Sequence, residues 1–516
     1  MIAPRAWPSR LADALSDPAR RERSMLITLA GYIAVWTLYG VIAKASQDVQ
    51  FDAAELVVWA REPALGYAKH PPLAAWLVHG WFSVFPVRDA TYYLFAMTYA
   101  ALGLWLAWRL FGVLLEPGKR IVAVALLTLI PYFNFHGLRF DANAILGATW
   151  AATTLCFIRS FETRAPRWAA LAGAAAAAAM LAKYWSVFLL IGLALAALLD
   201  RRRAEYFRSS APWITTAAGL VVLAPHLAWL ASRDFSPMSY AIAAHGFRPF
   251  EHALARAIGY VAGGLGYAAA PALLLVLLTR PSREALRDTL LPQAPDGRFL
   301  AVIFWTTLLL PALVSPLILF ELSSLWAMPV LILLPLVVVA SPLLTIGRRA
   351  LVTIVGIAIA LPLAALAAAP AIALVQHLAG VVPTGAHARL LAERIDREWR
   401  QTTTQPLRIV GGDLDVAYSV TFYLPGGPAA YPVLEPENTP WVTPERISQE
   451  GAAFICFMFY DRREGRECRD RPVNWGFDKL IADNQAVRRI EFRLTRTFLG
   501  FPGEPARYLL VIAPPK

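Results

Sequence analysis

Long apolar stretches, separated by short polar segments, run through the first 372 residues of the chain. A helix needs about 20 predominantly apolar residues to cross a bilayer, and eleven stretches are candidates for such a span. The pattern therefore predicts an α-helical polytopic membrane protein. The predicted spans cover residues 25–43, 90–110, 120–134, 143–159, 167–182, 185–199, 211–230, 256–279, 299–319, 325–341 and 350–372.

The segment 167–199 leaves two interpretations open. Two short helices can turn at Lys183, or one long tilted helix can run through this residue. One helix in place of two would remove one membrane crossing and would therefore reverse the orientation of every later span.

Charged residues become more frequent after residue 372, and the apolar runs become shorter. Residues 387–401 have the spacing of an amphipathic helix, and four later apolar runs are typical of strands, with Gly, Pro and Asn between them. The change predicts a soluble α/β domain at 373–516, after a transmembrane domain at 25–372. The predicted strands cover residues 407–410, 453–460, 490–494 and 508–512.

Composition supports the membrane assignment. Of the 516 residues, 58% are hydrophobic and only 16% are charged, which excludes an ordinary soluble protein. The formal charge of +12 could suggest a nucleic-acid partner, but Lys and Arg are gathered in short loops between apolar runs. That distribution is typical of cytoplasmic loops, so no nucleic acid is expected. No cleavage site follows the first span, which is expected to be retained.

Alternate loops carry most of the basic residues and are predicted to be cytoplasmic, together with the polar tail at 1–24. The intervening loops are less basic and hold conspicuous polar groups, as in the loop 44–89 and the motif HGLRFDAN at 136–143. Because the number of predicted spans is odd, the C-terminal domain is predicted on the same outer side as these loops.

The loop 44–89 has the densest mixture of acids, bases, aromatic residues and prolines in the membrane-bound half. Asp52 and Glu55 are three residues apart and share one face if the segment is helical. Lys69 and His70 precede a Pro-Pro step, which restricts the backbone and would hold a cation in place. A cation held in this way suits an anionic ligand.

This loop resembles the first extracytoplasmic loop of GT-C glycosyltransferases of the dolichyl-phosphate-mannose-protein mannosyltransferase type, family 39. The similarity is greatest to the branch of lipid A aminoarabinose transferases and galacturonic-acid transferases. Many relatives have Asp-Glu where this chain has Asp52 and Ala53, and the aminoarabinose branch has Lys where this chain has His70. The matching positions are Asp52, Trp59, Gly66, Tyr67, His70, Pro71, Pro72, Leu73 and Trp76.

The resemblance implies a GT-C fold and an inverting glycosyltransferase of the bacterial inner membrane. Its sugar would come from a polyprenyl-phosphate donor and pass to an envelope lipid or polysaccharide on the periplasmic face. A protein acceptor is the alternative within the class. A lipid-linked-sugar transporter or flippase is the alternative outside it, although transporters tend to have charges at mid-membrane and internal repeats. A structural envelope protein would leave the one-sided polar groups unexplained.

The resemblance implies that Asp52 is the catalytic base that takes the proton of the acceptor hydroxyl. Alternatively, Asp52 could cap the N-terminus of the loop helix. Glu55 is a second catalytic candidate or a solvated acid. Departure of the donor phosphate requires positive charge, which Lys69, His70 and Lys183 could supply. An isolated Lys183 beside apolar segments is costly unless it meets an anion. Tyr184 belongs to the same motif, LAKYWS, which resembles a recurrent turn of this branch.

Four further residues complete the predicted substrate site. Asp141 could organise Arg139 or bind a substrate hydroxyl, and a plain ion pair between the two residues is equally open. Arg248 could bind the donor phosphate or extend to lipid headgroups. Glu321 lies in a very short loop where relatives have polar groups.

No metal or other cofactor is expected, because the sequence has no metal-binding or nucleotide-binding motif. The expected partners are the lipid-linked donor, the envelope acceptor and membrane lipids. Three cysteines cannot build a disulfide framework. A bridge between Cys456 and Cys468 and two separate thiols both stay open.

The topology can be tested with reporter fusions along the chain. Fusions after Arg203 and Arg283 should report the cytoplasm, because basic loops remain inside. Fusions after His245 and Gly411 should report the periplasm. A cytoplasmic signal at Gly411 would contradict the placement of the C-terminal domain.

Overall fold

The computed structural model describes residues 7–381, 385–458 and 487–515. Helices dominate the described chain, and a small sheet lies near its C-terminal end. The first helices are α1 (Trp7–Ser16), α2 (Arg21–Ala43), α3 (Phe51–Arg61), α4 (Leu73–Phe82), α5 (Asp89–Leu114), α6 (Pro117–Thr128), α7 (Leu146–Thr163), α8 (Pro166–Ala182), α9 (Val187–Leu199) and α10 (Arg203–Phe207). The later helices are α11 (Ala211–Ser232), α12 (Ser236–His245), α13 (Phe250–Thr279), α14 (Arg283–Leu290), α15 (Pro295–Leu317), α16 (Leu334–Ala340), α17 (Arg348–Leu378), α18 (Ala388–Thr402), α19 (Leu414–Tyr423) and α20 (Pro444–Glu450).

Six helices in the described ranges are long and apolar enough to cross a membrane: α2, α5, α11, α13, α15 and α17. The other predicted spans coincide with shorter or interrupted helices, such as α6 to α9, and the number eleven stays a prediction. The polytopic helical fold predicted from the sequence is confirmed.

The chain divides into two compact units. The first unit contains residues 1–37, 69–74 and 94–365. The second contains residues 38–68, 75–93 and 366–516. The contacts therefore group most of the predicted first outer loop with the C-terminal domain.

In the first unit, the segment 167–199 forms two helices and not one. Lys183 has an extended backbone between α8 and α9, followed by a 3₁₀ turn. Ser186 stabilises this turn, because its hydroxyl donates to the Ala179 carbonyl oxygen at 2.7 Å and accepts from the Trp150 indole at 2.9 Å. The structure therefore has two short helices that turn at Lys183, and not one long helix.

Small residues allow α8 and α11 to pack closely. Gly173 on α8 faces α11, and a β-carbon added there would collide with the Thr215 carbonyl oxygen. The Thr215 hydroxyl donates to the Ala169 carbonyl oxygen at 3.0 Å, which links the same two helices. Close backbone approach at small residues is common where helices pack in membranes.

The second unit contains a five-stranded sheet of order β2-β1-β3-β7-β4. Strand β1 pairs in parallel with β2 and β3, while β7 pairs antiparallel with β3 and β4. Two short strands, β5 and β6, form a separate pair. The strands are β1 (Ile409–Gly412), β2 (Ala429–Pro432), β3 (Ala452–Phe457), β4 (Arg488–Leu494), β5 (Thr497–Phe498), β6 (Phe501–Pro502) and β7 (Ala506–Ala513).

Both faces of this sheet are covered. Helices α18 and α19 pack on one face through residues such as Ile395, Trp399 and Val420. A smaller cluster that includes Phe454 and Ile447 covers the other face. Burial on both sides explains the continuous apolar run of β3, whereas the edge strand β4 alternates between exposed and half-buried residues. The predicted C-terminal α/β fold is therefore confirmed. Cys456 on β3 is disulfide-bonded, and Cys468 lies outside the described residues.

The close approach at Gly173 can be tested by stability measurements. Gly173→Ala should lower the melting temperature of the purified protein, since overpacking typically costs about 1–3 kcal/mol. Gly259→Ala on α13 is the matched control, because its added methyl group would meet no atom within 4 Å. Equal melting temperatures for the two variants would contradict the close packing of α8 and α11.

Candidate functional site

Lys183 is held at the break between α8 and α9 in the first unit. Its ammonium nitrogen donates to the Asn143 side-chain oxygen at 2.5 Å and lies 4.8 Å from the centre of the Trp326 ring. Burial lowers the pKa of Lys183 to about 8, although the charge of Asp141 opposes this shift. The cationic role of Lys183 was predicted from the sequence. Its partner Asn143, the last residue of the motif HGLRFDAN at 136–143, was not predicted.

Asp141 organises the polar segment that supplies Asn143. One Asp141 carboxylate oxygen accepts from the backbone nitrogens of Asn143 and Ala144, at 2.7 Å and 2.9 Å. The other is 3.2 Å from Arg139 Nε. The ion pair considered in the sequence analysis is therefore present, and Asp141 also fixes the backbone that presents Asn143 to Lys183.

Lys69 and His70 belong to the same unit as Lys183. The Lys69 ammonium lies 5.5 Å from the centre of the Tyr240 ring, a cation–π contact. Burial, followed by the charges of Lys183 and Lys69, lowers the pKa of the His70 imidazole to about 3. His70 is therefore neutral at physiological pH, where it can form hydrogen bonds but adds no charge.

We define the cationic group as Lys69, Arg139 and Lys183. Asp141 pairs with Arg139, and its charge also acts on Lys183. The charges of Lys183 and Lys69 both act on neutral His70. Positively charged side chains of this kind suit an anionic ligand. Phosphate oxygens are suitable partners, because hydrogen bonds between ionised groups are stronger than neutral ones.

Glu321 forms the centre of a second ionic cluster in the first unit. Its carboxylate lies 3.2 Å from Arg248 Nε and 3.0 Å from Arg256 Nε. His252 Nε2 is also close, at 3.4 Å. Arg248 and Glu321 were predicted from the sequence, whereas His252 and Arg256 were not. Their four-residue spacing, which places them on one face of α13, was an available signal.

His245 lies near both charged groups. Burial lowers the pKa of its imidazole, and the charges of Glu321, Lys183 and Arg248 all act on it. Its ring also contacts Trp326, with centroids 5.0 Å apart. Trp326 therefore contacts both Lys183 and His245.

Tyr184 has a different partner from its neighbour Lys183. Its hydroxyl is 2.9 Å from Nε2 of His226, and the two rings stack with centroids 5.8 Å apart. His226 in turn stacks on Trp229 at 5.8 Å. This buried histidine was not predicted, because a single His inside an apolar helix gives no distinct sequence pattern.

Asp52 and Glu55 lie on α3 in the second unit. Because this segment is helical, the two carboxylates share one face of the helix. Asp52 is half-buried, and its carboxylate accepts from the Gln50 side-chain nitrogen at 3.3 Å. Glu55 is only 4% exposed. The described residues contain no group of three or more His, Cys, Asp or Glu placed to hold a metal ion.

Comparisons with known proteins find similarity to glycosyltransferases. Residues 69–229 match the family model described as dolichyl-phosphate-mannose-protein mannosyltransferase. The fold matches that of ArnT from Cupriavidus metallidurans bound to undecaprenyl phosphate, with a TM-score of 0.61 over 94% of this chain and 97% of that one, at 12% identity. The chain is therefore similar to this mannosyltransferase family over residues 69–229 and to ArnT in its fold. ArnT in the apo state matches with a TM-score of 0.57, at 11% identity, over 95% of this chain and 98% of that one.

One curated protein is also similar to this chain at the sequence level. The lipopolysaccharide core galacturonosyltransferase RgtB from Rhizobium johnstonii is 28% identical over 224 residues, which are 42% of this chain. The match spans 44% of the length of RgtB, less than half of that protein. The family match begins at Lys69 and includes His70, Arg139, Asp141 and Lys183, whereas Asp52 and Glu55 precede it.

Proposed function

We propose that this chain transfers a sugar, with inversion, from a polyprenyl-phosphate donor to a lipid or polysaccharide of the bacterial envelope. The cationic group is the observation that carries the proposal, because its positively charged side chains would suit the phosphate of a lipid-linked donor. The likeness to an ArnT structure bound to undecaprenyl phosphate and to an enzyme of the lipopolysaccharide core supports it. The active site and the C-terminal domain would face the periplasm.

Lys183 would stabilise the phosphate as it leaves the sugar. The negative charge on the phosphate grows as the bond to the anomeric carbon breaks, so fixed cations favour the transition state over the ground state. Lys69 and Arg139 would share this role, and neutral His70 would contribute a hydrogen bond. Arg248, Glu321 and Tyr184 would contact other parts of the substrates.

Asp52 would act as the base for the acceptor. Attack on the anomeric carbon requires a hydroxyl that loses its proton, and a carboxylate within hydrogen-bond distance can accept it. Glu55 is more deeply buried than Asp52. We therefore give Asp52 the base role and keep Glu55 as the second candidate.

An acidic sugar is the first donor to test. The carboxylates of Asp141 and Glu321 each already face at least one cation, which makes them poor partners for an amino sugar. A uronic acid would add a second negative charge for the cationic group to balance. The name of RgtB supports galacturonic acid as the sugar, and the family model's name supports a protein acceptor as the alternative.

The phosphate role of Lys69 and Lys183 can be tested by binding. Substitution of either by Ala should weaken the binding of undecaprenyl phosphate to protein in nanodiscs by about 10- to 1000-fold, or roughly 2–4 kcal/mol, as expected for loss of a charge-assisted contact. His70→Ala should cause a smaller loss. Arg233→Ala, at an exposed arginine, is the control.

The same assay has an expected pH dependence. Lys183 is charged below its pKa of about 8 and neutral above it, so the dissociation constant should rise by up to roughly tenfold for each pH unit above 8. Lys183→Arg should remove most of this dependence. Unchanged affinity in both alanine variants would mean that the phosphate binds elsewhere, and Arg139 and Arg248 would be tested next.

The base role of Asp52 can be tested by single-turnover transfer from a purified polyprenyl-phosphate sugar. Asp52→Asn should retain donor binding while transfer falls by about 10²- to 10⁴-fold, the range for positioned general bases. Asp52→Glu should recover little, because reaction geometry tolerates only about half an ångström. Glu62→Gln, a surface carboxylate 3.8 Å from Arg446, is the control.

Two results would change this assignment. Near-normal transfer by Asp52→Asn would remove Asp52 as the base and favour Glu55. Absence of transfer by the wild-type protein, with acidic, neutral and amino-sugar donors and several acceptors, would favour the transporter.

A further inference from the structure

The helix that carries Asp52 and Glu55 is built into the C-terminal part of the second unit. Helix α3 packs against α19, and its residues from Ala53 to Ala60 are buried. The Phe51 ring stacks on Tyr418 of α19, with centroids 5.7 Å apart and an interplanar angle of 10°. The surroundings of α3 are therefore largely those of the α/β domain.

Arg61 fixes the C-terminal end of α3. Its guanidinium donates to the carbonyl oxygens of Thr421 and Pro428, both at 2.9 Å. The Thr421 carbonyl belongs to the last turn of α19, where helical carbonyls have no partner within the helix and a cation is favoured. Gly427 has a φ of +60°, and a β-carbon there would lie 3.1 Å from Arg61 Nε. A glycine thus leaves room for the guanidinium.

Contacts from the same domain fix the chain just before α3. Asp48 accepts from Arg496 Nη1 at 2.8 Å and from the Arg389 backbone nitrogen at 3.3 Å. The Asp48 side chain is fully buried, so this pairing satisfies a charge that would otherwise be costly. The Val49 backbone nitrogen donates to the Tyr423 hydroxyl at 2.7 Å. Both ends of α3 are therefore tied to the α/β domain.

We propose that the C-terminal α/β domain positions α3 for the transfer reaction, and that Arg61 is a positioning residue for Asp52. This inference rests on the proposed function. A change at Arg61 would let the end of α3 move relative to α19 without removing any group that contacts substrate. Because a displacement of about 1 Å can reduce a reaction rate about 100-fold, Arg61 would affect turnover more than donor binding.

The experiment combines hydrogen–deuterium exchange with single-turnover transfer on the full chain in nanodiscs. Arg61→Ala should increase amide exchange in α3 while β1 and β3 keep the wild-type pattern. Transfer should fall by about 10- to 100-fold with an unchanged dissociation constant for the donor. Arg61→Lys, which keeps the charge but loses the two-pronged geometry, should give an intermediate result. Arg408→Ala is the control, since Arg408 is exposed in the same unit.

Tyr423→Phe provides a second test if Arg61→Ala does not fold, because it removes the hydroxyl that accepts from Val49 and also bonds to Asp89. Wild-type exchange in α3 of the Arg61 and Tyr423 variants would overturn the proposal. Increased exchange across the whole unit, or normal transfer despite increased exchange in α3, would also overturn it. If the wild-type protein transfers no sugar, the proposed function fails, and the exchange data alone decide whether this domain holds α3.

Discussion

The cost of placing a positive charge beside apolar helices governs the structure around Lys183. An uncompensated ammonium group in such surroundings is unfavourable, and the chain surrounds it with the Asn143 side-chain oxygen and the Trp326 ring. Neither of these partners carries a full negative charge. The same burial that lowers the pKa of Lys183 to about 8 also strengthens its attraction to an anion, because charges interact more strongly where water is excluded. The helix break, stabilised by Ser186 and Trp150, keeps Lys183 at this position.

A similar constraint acts on Asp48 in the second unit. A buried carboxylate needs partners that satisfy both oxygens, and Arg496 and the Arg389 backbone provide them. These partners are several hundred residues away in sequence, so Asp48 joins the segment before α3 to the C-terminal part of the chain. The contact is long-range, and it forms only when the sheet and α18 are in place. Folding of the α/β domain and placement of α3 are thus coupled.

The polytopic helical fold and the C-terminal α/β domain could be predicted because both depend on local hydrophobic patterns. The turn at Lys183 could be proposed but not decided, since the contacts of Ser186 with Ala179 and Trp150 depend on packing. The neutral state of His70 could not be predicted, because it results from burial and from two lysines, one of them distant in sequence. The same limit applies to Glu321, whose three basic neighbours come together only in the folded chain.

The order of Lys69 and His70 before the Pro-Pro step has a physical explanation in these charges. The charges of Lys183 and Lys69 both act on position 70, and another cation there would be repelled by them. A histidine there avoids the cost, because burial and the nearby lysines keep its imidazole neutral. Lys69 retains the charge one residue earlier, where the Tyr240 ring offers a favourable contact. The aminoarabinose branch has Lys directly before Pro-Pro, whereas this chain has its lysine, Lys69, one residue earlier. Lys69 belongs to the same unit as Lys183.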